Sequence, residues 1–287
     1  MNTFGNIVTA MVTPFDSKGN IDFGKTTQLV NHLIENGSNS LVVAGTTGES
    51  PTLSTEEKLA LFQHVVKVVD GRVKVIAGTG SNNTYASIEL TKKAEKIGVD
   101  GVLLVAPYYN KPNQRGLYEH FKAIANSTTL PVMLYNIPGR TAVTISLDTI
   151  VKLSEISNIV AVKESTGDIV AATNIISKTD RNFMLYSGDD YMTLPFLSVG
   201  AEGVVSVASH IIGNEMQEMI TAYKQGEHEK AAHLHRELMP IMNGLFIAPN
   251  PTPVKAALQM RGMDVGSVRL PLVPLSIEDR ERLTRLL

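Results

Sequence analysis

The chain has 287 residues, 43% of them hydrophobic, enough for one large core or two modest domains. A formal net charge of −2 leaves no basic field for nucleic acid or an anionic membrane surface. The lack of cysteine excludes disulfides, thiolate catalysis and cysteine metal sites, and no apolar run approaches the ~20 residues of a membrane span.

The opening Met1-Asn2-Thr3-Phe4-Gly5-Asn6 has neither the basic nor the long apolar segment of a secretory leader, so a soluble, cytoplasmic protein is expected. Eight short apolar runs then read as strands, at residues 7–12, 41–44, 73–77, 102–106, 132–135, 159–163, 183–186 and 204–207. Most are apolar throughout rather than alternating, as parallel strands covered on both faces require. Helical stripes lie between them: Leu29, Val30, Leu33 and Ile34, then Leu59, Phe62, Val65, Val66 and Val69. Ser54 and Glu57 predict a capping box at the start of the second helix. Three junctions echo one another, with Gly37, Gly98 and Gly200 each standing where a helix should end, before a short turn and a strand.

A helix-to-strand unit repeated in this way, with eight strands, predicts a (β/α)8 TIM barrel. The competitor, a doubly wound open sheet, would show a dinucleotide fingerprint after the first strand, and Ala10-Met11-Val12-Thr13-Pro14 is no such fingerprint. From about residue 214 the pattern turns helical, punctuated by Asn250-Pro251-Thr252-Pro253. The expected organisation is a barrel over residues 1–225 and a small C-terminal helical appendage over 226–287, not an independent domain.

Barrel enzymes place their chemistry at the carboxyl ends of the strands. Those ends carry Thr13, Thr46, Thr47, Thr79, Tyr108, Tyr109, Tyr135, Asn136, Lys163, Ser187, Gly188, Asp189 and Ser206, hydroxyls and one amine on a single face. Lys163 closes the apolar run Ile159-Val160-Ala161-Val162. Desolvating an ammonium costs several kcal/mol, and burial favours the neutral amine, which attacks carbonyls to form Schiff bases. The alternative is a surface lysine just past the strand, held by Glu164. Gly45-Thr46-Thr47-Gly48-Glu49-Ser50 follows the second strand; its small residues and hydroxyls suit a small anion, or make an ordinary tight loop. It lacks the spacing and lysine of a P-loop. Tyr135 can exchange protons with a carbonyl bound at Lys163, or simply fill the barrel top. Arg140 can fork onto a substrate carboxylate, or pair with a loop acid. Tyr108 and Tyr109 are adjacent and cannot both face one site, so one is expected to face a neighbouring subunit. His228, His233 and His235 lack the spacing of a zinc helix and read as a solvated face.

Gly45-Thr46-Thr47-Gly48-Glu49-Ser50, Pro107-Tyr108-Tyr109-Asn110-Lys111-Pro112, Tyr135-Asn136-Ile137-Pro138-Gly139-Arg140-Thr141 and Val162-Lys163-Glu164 form an ordered set over four strand ends. Together they closely resemble the dihydrodipicolinate synthase family of pyruvate-dependent Schiff-base lyases and aldolases, in its Gram-positive bacterial form, over essentially the whole chain. The resemblance implies condensation of pyruvate with aspartate semialdehyde, the first step towards diaminopimelate and lysine, in a homodimer or homotetramer. It implies that Lys163 forms the imine with pyruvate, that Thr46 and Thr47 hold the pyruvate carboxylate, and that Tyr135 donates and accepts protons. It also implies a hydroxyl relay from Tyr135 through Thr46 to Tyr109 of a neighbouring subunit, an Arg140 that receives the aldehyde's carboxylate, and a pocket lined by Gly188 and Val205. No metal or organic cofactor is expected, because the lysine imine is itself the electron sink. Related neuraminate lyases typically have serine in place of Thr46 and lack the arginine, which favours the synthase over the runner-up, a related pyruvate-dependent aldolase acting on a sugar acid. A sensor that merely binds a keto-acid needs no proton relay. Members inhibited by lysine carry a histidine matching Lys58 and a glutamate matching Ala86; the change of charge predicts weak feedback here or none.

Overall fold

A strand that is apolar at every position has to be covered on both sides, and closure into a barrel does this without leaving an edge. The computed structural model describes residues 4–287; Met1, Asn2 and Thr3, part of the stretch read for a leader, lie outside the described residues. Eight parallel strands, β1 Ile7–Ala10, β2 Ser40–Val43, β3 Lys74–Gly78, β4 Gly101–Val105, β5 Val132–Asn136, β6 Ile159–Glu164, β7 Met184–Ser187 and β8 Gly203–Ser206, close in sequence order, with β8 beside β1. The TIM barrel read from the sequence is the fold. All eight strands fall within a residue or two of the expected runs.

The helices are α1 Phe23–Glu35, α2 Thr55–Val69, α3 Thr84–Ile97, α4 Gln114–Ala125, the single turn α5 Pro138–Thr141, α6 Leu147–Ser154, α7 Ile169–Lys178, α8 Thr193–Ser198, α9 Ser209–Lys224, α10 His228–Gly244, α11 Thr252–Met260 and α12 Ile277–Thr284. Gly37, Gly98 and Gly200 all adopt positive φ at the three junctions, where a Cβ would be strained. Ser54 and Glu57 form the capping box. The second stripe differs in one respect: Leu61, not Leu59, is fully buried, because α2 turns a slightly different face to the barrel. The C-terminal stretch is less helical than expected, with an irregular segment at 261–276 between α11 and α12. Here α10 packs on α9, and α11 contacts both α9 and α12. No helix among the described residues is long and apolar enough to cross a membrane.

Alternation along the strands separates two cores. Val8, Val42, Ile76, Leu103, Met133 and Val205 fill the inside of the barrel, while Leu41, Val75, Val102, Leu134 and Val162 face the helices. Phe4 plugs the amino-terminal end, 1% exposed, with its ring centroid 6.5 Å from that of Tyr186. Gly101 leaves room for it, since a Cβ there would come within 2.9 Å of the Phe4 ring. Truncation of this plug opens a cavity that the closed barrel cannot collapse around. Phe4→Ala is therefore expected to cost about 3–5 kcal/mol, read as a lowered midpoint of denaturant unfolding with an unchanged slope.

Candidate active site

Lys163 owes its direction to an irregularity in β6. Val132 pairs with Ile159, but Met133 pairs with Ala161, so Val160 is an extra residue in the ladder. Ile159 faces the helices; strict alternation would send Ala161 and Lys163 the same way. The bulge changes the phase, putting Ala161 in the inner core and Val162 in the outer one. Lys163 accordingly points into the barrel, paired in register with Tyr135 on β5 and Tyr186 on β7. It is 6% exposed, and its Nζ lies over the Tyr135 ring, 4.0 Å from the centroid.

Glu164 does not hold it. That carboxylate, buried on the other face of the strand, accepts from Asn136 Nδ2 at 2.8 Å and from the Thr166 amide at 2.9 Å. The surface-lysine alternative is thereby set aside. Burial raises Glu164 above the usual carboxylate range, against those two hydrogen bonds.

A cavity of about 250 Å³ opens at the carboxyl end, and its wall includes Thr46, Tyr108, Tyr135, Ile137 and Arg140. Lys163 is not itself in that wall; its Nζ lies against the ring of Tyr135, which is. Arg140, on α5, is exposed at the mouth, and Tyr108 and Tyr109 take opposite directions. Tyr109 is 90% exposed and has a left-handed backbone, φ 72°, so its phenol stands away from its own cavity. Gly188 lies beside the amine: a Cβ there would stand 3.0 Å from Lys163 Cε and collide with Ser165 Oγ. Val205, also 1% exposed, is an inner-core residue of β8, lower in the barrel wall. Thr47 is buried and its Oγ1 accepts from Asn250 Nδ2 at 2.9 Å, which holds the oxygen in place and leaves its O–H to donate.

Several hydroxyls at the strand ends are structural. Thr13 donates to the Gly48 carbonyl at 2.7 Å, Thr79 accepts from Thr91 at 2.8 Å, and Ser187 donates to the Asp189 carbonyl at 2.7 Å. Ser206 donates to Asp190. The face is less crowded with free donors than the strand ends alone suggest.

Sequence reasoning missed three features. Ser165 Oγ is buried beside Gly188 with no protein partner among the described residues. Asp190, fully buried, accepts from Ser206 and from the Val207 and Ala208 amides, so it ties β7 to the start of α9; burial raises it above the usual range. Glu49, inside the small-residue loop, makes a buried ion pair with Lys255, Nζ to Oε1 2.7 Å. The signal for this pair was legible: a carboxylate in a loop suited to anions, and a lysine within the apolar Val254-Lys255-Ala256-Ala257-Leu258. The loop itself is bracketed by two left-handed residues, Ala44 at φ 52° and Glu49 at φ 58°, each costing about 1–3 kcal/mol and held only by its surroundings.

Asp189 adds the electrostatics. Burial and the neighbouring carboxylates of Asp190 and Glu164 push it up from its ordinary 3.8 to about 6, with Lys163 opposing the rise. A carboxyl raised in this way favours the fold while protonated; the contribution is complete below its unfolded value and is lost as pH rises through about 6. Asp189→Asn, which cannot ionise, is expected to exceed the native chain in stability by about 2 kcal/mol at pH 7.5. Below about pH 4 the difference should vanish, as measured by denaturant unfolding at both pH values.

The family model described as the dihydrodipicolinate synthetase family matches residues 3–287. The 4-hydroxy-tetrahydrodipicolinate synthase of Bacillus subtilis (strain 168) is 64% identical over 278 residues, which cover 96% of each chain. A crystal structure of dihydrodipicolinate synthase from Bacillus anthracis is 66% identical and superposes with a TM-score of 0.97, over 99% of this chain and 97% of that one. That of the enzyme from Cyanidioschyzon merolae, with lysine bound, is 48% identical, with a TM-score of 0.98 over 100% and 98%.

Proposed function

The chain belongs to the dihydrodipicolinate synthetase family, and on that premise we propose how this cavity carries the family's reaction. The reaction is the condensation of pyruvate with L-aspartate 4-semialdehyde through a lysine Schiff base. It forms 4-hydroxy-tetrahydrodipicolinate for diaminopimelate and lysine biosynthesis.

Lys163 is the amine. The observation that carries this assignment is a lysine on the inner wall of the barrel, 6% exposed and 4.0 Å from the ring of a cavity tyrosine. Its neutral form adds to the pyruvate keto carbon; loss of water gives the imine, and loss of a methyl proton gives an enamine. The enamine carbon forms the new bond to the aldehyde carbon, whose oxygen takes up a proton. Attack by the substrate's own amino group on the imine carbon then closes the ring and releases Lys163. Tyr135 is placed to pass the protons, since its phenol shares the cavity wall with Thr46. The loop at Thr46 and Thr47 takes the pyruvate carboxylate through its backbone N–H groups and both hydroxyls; Thr47 Oγ1 accepts from Asn250, which leaves its O–H to donate. Arg140, exposed at the mouth, receives the carboxylate of the aldehyde. Gly188 keeps space open beside Lys163, and Val205 closes the inner wall of β8.

The assembly is a homo-oligomer in this reading, either dimer or tetramer. Tyr109 stands 90% exposed and Tyr85 74% exposed, two aromatics that a second copy would cover. Tyr109 then completes the hydroxyl relay in the neighbouring subunit's cavity. A cytoplasmic location belongs to the same proposal.

Borohydride reduction in the presence of pyruvate, followed by peptide mass mapping, is expected to place a stable adduct on Lys163. An unmodified Lys163, or an adduct on a different lysine, rejects the assignment. Lys163→Ala should fold normally and lose roughly 10³-fold or more of turnover. Arg140→Ala should raise the KM for the aldehyde about 10-fold while leaving that for pyruvate within about 2-fold. Equal effects on both substrates would move Arg140 away from the aldehyde. Lysine is expected to inhibit weakly or not at all, because Lys58 and Ala86 replace the partners of a dibasic ligand. Burial already disfavours the charge on Lys58, and a second cation nearby would worsen its position. Strong inhibition at modest lysine concentrations would overturn this.

A further inference from the structure

The loop assigned to the pyruvate carboxylate is not anchored by the barrel alone. Glu49, at its end, turns its carboxylate away from the cavity and into the C-terminal helices. One oxygen lies 2.7 Å from Lys255 Nζ on α11, and the other accepts the Arg269 amide at 2.8 Å. Neither side chain of the pair reaches water, at 1% and 3% exposed. Lys255 also donates to the Ser267 carbonyl at 2.9 Å and lies 4.2 Å from the centroid of Phe15. From the residues just before α11, Asn250 donates to Thr47 Oγ1. Arg269 adds a third hold, donating to the Thr52 carbonyl at 2.7 Å and pairing with Glu57, the acid of the capping box on α2. The whole run from Thr47 to Glu57 is thus gripped from outside the barrel.

We infer that the Glu49–Lys255 pair, with Asn250, positions Thr46 and Thr47 for the carboxylate of the keto-acid, so that the C-terminal helices set the affinity for pyruvate. Two observations favour positioning over simple adhesion. A buried ion pair holds surfaces together no better than apolar side chains of similar volume, because desolvation offsets most of the attraction; what it adds is a defined place for each group. Glu49 also needs such a device, since its left-handed backbone, φ 58°, persists only where the surroundings determine it. Relaxation of Glu49 would move Gly48 and Thr47, its neighbours in the loop. The charged and titratable groups around the pair are Arg269 and, through it, Glu57 and Asp16. All are spent on structural contacts and none faces the cavity, so the pair acts through the loop and not on substrate.

The inference rests on the assignment of this loop to pyruvate. It is tested by trapping the Lys163 adduct with borohydride over a range of pyruvate concentrations in the full-length chain. The variants are Glu49→Gln with Lys255→Met, in which both charges are removed together, and Asn250→Ala, which leaves the ion pair intact. Half-saturation is expected to rise on the order of 10-fold in the double variant and several-fold in Asn250→Ala. The KM for the aldehyde and kcat at saturating pyruvate should stay within about 3-fold of native, a split that lowered stability alone does not produce. Folded variants that trap pyruvate at the native half-saturation, whatever their melting temperature, reduce the contacts to adhesion and overturn the inference. If the double variant does not fold, Asn250→Ala alone decides it. Failure of the native chain to form any adduct overturns instead the assignment of Lys163 and the loop.

Discussion

An amine on the inner wall of a closed barrel is the constraint around which the rest of the carboxyl end is arranged. The inside of an eight-stranded barrel is a packed core, and most inward positions are filled by apolar side chains such as Val8, Val42, Ile76 and Met133. Lys163 breaks that rule, at 6% exposed. Its position is tolerable because a tyrosine ring lies under the amine and the Asp189 carboxyl, just past β7, is close enough to feel its charge. A buried amine against the ring of a tyrosine that lines the cavity is the arrangement on which the proposed Schiff-base chemistry rests.

The surrounding groups serve this placement at several removes. Asp190 accepts from Ser206, Val207 and Ala208, so the β7 and β8 ends hold their relative positions. Gly188 leaves the space that a Cβ would take from Ser165 and Lys163. Across the barrel, the loop after β2 carries two left-handed residues and is held by Glu49, Lys255, Arg269 and Asn250. The side carrying the amine is built from strand ends, and the side opposite from a loop that the C-terminal helices hold down. The helical appendage is in this sense part of the site, although no residue of it lines the cavity.

The legible part of the fold was the part governed by local pattern. Runs of apolar residues named all eight strands, glycines named three helix ends, and Ser54 with Glu57 named a cap; each is decided within a few residues of chain. Lys163, Tyr135, Thr46 and Arg140 were legible as rim positions, since each lies at or just past the carboxyl end of an apolar run. The Thr13, Thr79 and Ser206 hydroxyls were over-read, because nothing in their immediate sequence shows the partner each finds elsewhere in the fold, and Ser187 turns back on its own chain to the Asp189 carbonyl. Thr47 likewise has a partner, Asn250, that its own neighbourhood does not show.

The chain alone determined the class of fold, the order of the rim residues and the presence of an amine among them. These follow from period, spacing and residue type, which act over one or two turns of structure. Tertiary structure alone decided which way each rim group faces. The extra residue at Val160 shifts β6 by one position and so aims Lys163 inward; it is visible only once β5 supplies the register to count against. Glu49 and Lys255 find each other only when the chain after the eighth strand folds back over the second. Each residue carries its chemistry locally, but direction and partner are properties of the closed barrel, because both depend on what packs against the strand from elsewhere in the chain.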